Sequence, residues 1–155
     1  MMRAWRLAPR THSDPPRRRA FSGRGAEIFG GRWNPVGIAA AYASGSRALA
    51  ALEFLVHTDR DVLPSDLVLS EVAFDDADIE RAAPPDGWDI AGSAGAVTYG
   101  EQWLRAERSL VLAVPSVLVP DEPNYVINPR HRRAKSLVVS PLLRPFIYDE
   151  RLLRK

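Results

Sequence analysis

Apolar positions in this chain fall in short runs, and the spacing within each run changes along the sequence. Trp5-Arg6-Leu7 alternates and predicts a short first strand, followed by a polar, proline-containing loop from Pro9 to about Arg19. Gly30-Gly31-Arg32-Trp33-Asn34-Pro35 is a turn-rich approach to a small-residue strand from Gly37 to Ala43, with Ile38, Ala40 and Tyr42 on one face. Ser46 is a suitable N-cap for a helix running to about His57, in which Leu49, Leu52 and Val56 form a stripe at i, i+3, i+7. Leu67 to Phe74 reads as another strand, and Asp75 to Gly95 as an acidic and Pro/Gly/Ala excursion with short helical turns. Thr98-Tyr99-Gly100-Glu101 has capping-box spacing and predicts a second helix to about Arg108. Leu110 to Val119 predicts a strand broken by Pro115, which must sit at an edge, bulge or split because it lacks an N–H. Tyr125 to Ile127, Ser136 to Ser140 and Pro145 to Tyr148 complete the set. Short strands with two modest helices, not alternating regularly, indicate a compact α+β domain with a mixed sheet.

Composition narrows the chemistry. The 155 residues suffice for one domain's core, and a 26% charged fraction is that of an ordinary soluble chain. With no cysteine, disulfides, thiolate metal sites and cysteine nucleophiles are excluded. His12, His57 and His131 are scattered without metal-ligand spacing, so no metal is expected. No apolar stretch is long enough to span a membrane, and Met1 to Leu7 lacks the apolar core of a signal peptide, which predicts a cytoplasmic protein. The net charge of +2 is small for a nucleic-acid binder. The runs Arg17-Arg18-Arg19 and Arg130, Arg132, Arg133 carry no interleaved aromatics, so solvated loops explain them and no nucleic acid is expected.

Several residues could carry chemistry. Glu53 lies one turn after Leu49, beside the apolar stripe, where a carboxylate is partly desolvated and costs free energy unless paired or used. The same spacing suits a plain i, i+4 contact with His57. Arg32, after two glycines, offers a planar fork for phosphate or carboxylate oxygens, although a surface arginine on a glycine turn reads the same way. Neither a P-loop nor a GxGxxG fingerprint is present. Tyr42 is either core or a stacking platform, and Ser116 either bonds local backbone or faces a ligand. Asn124-Tyr125, Asn128-Pro129 and His131 share a polar loop.

The order of these residues resembles the RES-domain family. Gly23-Arg24-Gly25-Ala26, Gly30-Gly31-Arg32-Trp33-Asn34-Pro35-Val36-Gly37, Ala41-Tyr42-Ala43 and Ala50-Ala51-Leu52-Glu53 are similar to its successive blocks. So are Val114-Pro115-Ser116 and the run from Asn124 to His131. The resemblance spans roughly Trp5 to Phe146 and makes residues 1–155 a single RES domain. It implies an ADP-ribosyltransferase (diphtheria-toxin-like) fold and a toxin of a toxin–antitoxin system that cleaves the nicotinamide–ribose bond of NAD⁺. The implied reaction is phosphorolysis or hydrolysis, or else mono-ADP-ribosylation of a protein. It implies Glu53 and Arg32 as catalytic residues, with Arg32, Tyr42, Ser116, Trp33 and Asn34 binding substrate. NAD⁺ is then substrate, with no further cofactor and inorganic phosphate as a co-substrate candidate; Arg6, Arg24 and Arg130 are candidates to hold phosphate. The implied partner is a helix-turn-helix (Xre-like) antitoxin covering the site. Outside this class stand a non-catalytic interaction domain and an RNA-targeting toxin.

Overall fold

The computed structural model describes residues 1–13 and 19–154, without the side chains of Arg19 and Arg60. The expectation of a solvated Arg17–Arg19 run therefore falls outside the described residues. The strands are β1 (Met2–Pro9), β2 (Ala41–Ser44), β3 (Leu67–Phe74), β4 (Ile79–Arg81), β5 (Val111–Pro115), β6 (Pro123–Ile127), β7 (Val138–Val139) and β8 (Arg144–Pro145). Among the described residues three α-helices join them: α1 (Arg24–Phe29), α2 (Arg47–Val56) and α3 (Ala94–Ala106). The sheet runs β4-β5-β6-β2-β1-β3-β7, with β8 also on β3, and its ladders are antiparallel apart from β4 on β5. This is the α+β mixed sheet that the patterning predicts.

The middle joint is the weakest. β1 pairs with β3 along its whole length, from Met2–Phe74 to Pro9–Leu67, but meets β2 through one pair, Trp5–Ser44. Beyond that pair β1 and β2 part, dividing the sheet into a β4-β5-β6-β2 half and a β1-β3-β7 half. Strand alternation fills both faces. Val111 and Ile127, a ladder pair, join Ala4, Val72, Phe74 and Tyr125 in one core, while the next pair, Leu112 and Val126, packs with Trp33, Trp103 and Leu104 under α3. A third cluster of Leu7, Ala50, Leu55, Leu67 and Tyr148 seats α2 on the β1-β3 half.

Several sequence expectations are corrected here. The buried side of α2 is Leu49, Ala50 and Leu55, whereas Leu52 and Val56 are exposed. The helix docks on β1 and β3 by one side, and its Glu53–Val56 side borders a cleft. The first of the glycine-led residues before β2 are irregular, with Gly37 at φ +92, and the strand begins only at Ala41. Ile38, Ala40 and Tyr42 nevertheless pack into the same core. Helix α3 starts earlier than its capping-box spacing predicts: Ser93 caps it by accepting the N–H of Ala96, and Glu101 pairs instead with Arg105 one turn on. β5 stops at Pro115, whose missing N–H is harmless at a strand end. The excursion after β3 includes a strand the patterning misses, β4. Near the carboxyl end the ladders shrink to Val138–Val139 and Arg144–Pro145, and Tyr148 covers α2 by donating its hydroxyl to the Ala51 carbonyl.

Candidate active site

The parting of β1 and β2 opens a cleft of about 840 Å³, within the size range of small-molecule sites. Arg6, Arg32, Trp33, Tyr42 and Glu53 all line it.

Glu53 is delivered by α2, whose start is fixed twice. Ser46 caps the helix by accepting the Leu49 N–H and donates its hydroxyl to the Glu122 carboxylate at 2.7 Å. About two turns later, Oε1 of Glu53 accepts hydrogen bonds from Ser116 Oγ at 3.0 Å and from Asn124 Nδ2 at 2.6 Å. Its other oxygen, Oε2, lies 3.9 Å from His57 Nε2. That is the i, i+4 contact periodicity allows, too long for a hydrogen bond. The carboxylate is thus pinned on one oxygen and open on the other, with 25% of the side chain exposed.

Ser116 is fully buried, and its hydroxyl also accepts the N–H groups of Leu118 and Val119. Its hydroxyl donates to Glu53 and accepts from local backbone, and Ser116 is not among the residues lining the cleft, so in this structure it orients the carboxylate. Asn34 is absent from the lining too. It is buried away from the cleft and donates from Nδ2 to the carbonyls of Ala26, Pro35 and Ile38 at 2.8, 3.1 and 2.9 Å. Its Oδ1 accepts the Tyr42 hydroxyl at 2.7 Å, and that hydroxyl accepts the Trp33 N–H at 3.0 Å. Gly31 is required beside this pair, since a Cβ there would stand 2.7 Å from both Asn34 Oδ1 and Tyr42 Oη. Burial pushes the Tyr42 phenol far above its ordinary value, so it stays a neutral donor.

Arg32 stands on this turn and donates from Nη1 to the carbonyls of Trp88 at 2.8 Å and Ile90 at 3.1 Å. Trp33 stacks on Trp88 with ring centroids 5.7 Å apart, fastening the same excursion. Arg6 is different: its Nε is buried without a partner, and burial lowers its pKa from the usual guanidinium range. A guanidinium with a buried, unpaired donor is suited to receiving an anion. Arg24 and Arg130, the other phosphate candidates, both bind Glu27 on α1 and do not line the cleft. His131 clips a loop: its Nδ1 accepts the Arg133 N–H, which leaves Nε2 to donate to the Glu107 carbonyl at 3.1 Å. Among the described residues no cluster of His, Asp or Glu could hold a metal.

Sequence reasoning passes over Asn124's tie to Glu53, Ser44 and Trp88. Asn124 stands inside a quoted family block, and that was its one available signal; the other two are set by packing.

The structure is thus a mixed sheet that parts at β1/β2, with one helix-borne carboxylate lining the same cleft as two arginines. The RES domain family model matches residues 3–149, and the chain belongs to that family. Among curated relatives, a "Prs ADP-ribosylating toxin" of Sphingobium sp. (strain YBL2) is 46% identical over 143 residues, covering 87% of this chain and 88% of the relative. A "Toxin Res" of Yersinia enterocolitica serotype O:8 is 39% identical over 136 residues, covering 85% and 90%. In fold, the chain is similar to a chain of the M. tuberculosis MbcT–MbcA toxin–antitoxin complex, with a TM-score of 0.71 at 17% identity over 94% of this chain and 84% of that one.

Proposed function

We propose that this chain is the toxin of a toxin–antitoxin system and cleaves the nicotinamide–ribose bond of NAD⁺. The observation that carries the reading is Glu53: one carboxylate oxygen is held by two neutral donors, and the other is unbonded on a residue lining a cleft that also holds Arg6 and Arg32.

Nicotinamide leaves NAD⁺ as a neutral ring, so the leaving side needs no acid, unlike an ordinary two-carboxylate glycosidase. What the reaction requires is stabilisation of the cation that develops on the ribose. Oε2 of Glu53 supplies it, and the bonds on Oε1 fix the charge beforehand so that it need not reorganise. Arg32 and Arg6 neutralise the pyrophosphate, which gives the unpaired Arg6 Nε an acceptor. Tyr42 holds the nicotinamide end by its ring, backed by the buried Trp33 of the same core cluster; the Tyr42 hydroxyl is committed to the turn. NAD⁺ enters as substrate, and no step needs a metal or another cofactor.

Phosphate or water is the acceptor in this reading. The name of the Sphingobium relative favours a second one, transfer of ADP-ribose to a protein. Both begin with the same bond broken. An enzyme that empties the NAD⁺ pool of its own cell needs a partner, and a helix-turn-helix antitoxin covering the cleft fits. Phe29, Val56, Val117 and Leu118 are exposed apolar residues around the cleft, suited to a segment whose carboxylate would reach the arginines.

The test is incubation of the purified chain with NAD⁺, with and without inorganic phosphate, with products resolved by mass. Nicotinamide with a phosphorylated ADP-ribose identifies phosphorolysis, and nicotinamide with ADP-ribose identifies hydrolysis. NAD⁺ left intact in both arms removes phosphate and water as acceptors, and leaves transfer to a protein or else a non-catalytic or RNA-directed role.

A further inference from the structure

Helix α2 spans the split in the sheet. Its Ala50 and Leu55 side rests on the β1-β3 half, where Arg47 also pairs with Glu71, but the attachments made by Ser46 and Glu53 go to the other half. Ser46 reaches Glu122, and Glu53 reaches Asn124 and Ser116, all on β6 or the turn between β5 and β6. Because β1 and β2 share one ladder pair, the position of Glu53 relative to Arg32 and Tyr42 depends on these polar attachments. Asn124 is the shortest of the links to the carboxylate, at 2.6 Å.

The polarity of the chain of bonds around Asn124 is forced. An ionised carboxylate only accepts, so the amide must turn its nitrogen to Glu53. Its Oδ1 then faces Ser44, which must donate, and Ser44 Oγ lies 2.8 Å away. Ser44 is buried and sits on β2, two residues after Tyr42. We infer that Asn124, oriented by Ser44, is a positioning residue that holds the Glu53 carboxylate in register with the Arg32–Tyr42 side of the cleft. Neither Asn124 nor Ser44 needs to touch the reacting atoms. The inference rests on the NAD⁺-cleaving reading for its consequence, but the network itself can be tested without turnover.

Two variants and one cycle decide it. Asn124→Asp keeps the shape but sets a second carboxylate against Oε1, so the two oxygens repel. It should lower kcat for nicotinamide release by about 100-fold, the cost expected of a misplaced catalytic group. Because Asn124→Asp could unfold the site, Ser44→Ala is the second variant. It leaves Asn124 in place without its orienting donor and should lower kcat by roughly 10-fold on the same grounds, with the NAD⁺ dissociation constant measured by calorimetry within about twofold of wild type. Unchanged kcat, or a change confined to NAD⁺ affinity, overturns the inference. Independently of activity, thermal midpoints of Glu53→Ala, Asn124→Ala and the double variant form a cycle. The double variant should lose less than the sum of the single losses; additive losses overturn the link. If the wild-type chain releases no nicotinamide, the functional reading falls, and this cycle still decides whether Asn124 holds Glu53.

Discussion

Ser116 donates its buried hydroxyl to Oε1 of Glu53 at 3.0 Å while accepting two backbone N–H groups from the turn that follows β5. One side chain therefore both shapes a turn and aims a carboxylate. Ser116→Ala removes the donor and strands the Leu118 and Val119 N–H groups. Stability should fall by about 1–3 kcal/mol, the cost of unsatisfied buried polar groups, and turnover of the folded protein should fall as well. Urea denaturation and nicotinamide release measured on the same preparation check both, and an unaffected rate would return Ser116 to a purely structural role.

Arg32→Lys keeps the charge but cannot serve the Trp88 and Ile90 carbonyls and a phosphate together, since those bonds use one edge of a planar fork. NAD⁺ affinity should weaken by about 10-fold, a loss of roughly 1.4 kcal/mol. Calorimetric titration reads this directly. Binding equal to wild type would remove Arg32 from the ligand's path.

Gly100 faces the Trp33 backbone across the α3 interface. A Cβ there would come within 1.9 Å of the Trp33 carbonyl oxygen, so α3 could not stay seated. Gly100→Ala should destabilise the fold by roughly 3 kcal/mol, the upper end for overpacking. A thermal midpoint close to wild type would contradict the packing described for Trp33.

Alkaline pH should destabilise the protein through its buried phenols. Burial raises Tyr42 and Tyr125 and pushes Tyr148 up to about 12. A phenol whose folded pKa is raised contributes stability that is complete below the unfolded value of about 10 and is lost as pH rises through the folded value. The thermal midpoint should therefore fall between about pH 10 and 12, with absorbance of the ionised phenol rising together with unfolding. Ionisation of Tyr42, Tyr125 or Tyr148 at about pH 10 in a protein that stays folded would contradict the burial.

How much of this was legible in the sequence depended on whether local pattern or distant packing decided a position. The α+β class, the Ser46 cap and β3 were readable because they depend on neighbours in the chain. The inward side of α2 was not: Leu49, Leu52 and Val56 have helical spacing, but the cleft takes one side of the helix and leaves Leu52 and Val56 exposed. Glu53 and Arg32 were reached through the family blocks, and both line the cleft. Ser116 and Asn34 came from those blocks too, yet their roles are fixed by partners far off in sequence or by a tight turn. Arg6 could be separated from Arg24 and Arg130, the other phosphate candidates, only once its Nε proved buried and unpaired, which no spacing reveals.

The most direct test of the account is Glu53→Gln. The Gln carbonyl can still accept from Ser116 and Asn124, turning its amide to the place of Oε2, so shape and hydrogen bonds survive and the negative charge alone is lost. Nicotinamide release from NAD⁺, followed by mass for folded wild type and variant, should drop by on the order of 100-fold or more, with NAD⁺ binding largely retained. Turnover by the variant at the wild-type rate would contradict the claim that this carboxylate drives the cleavage.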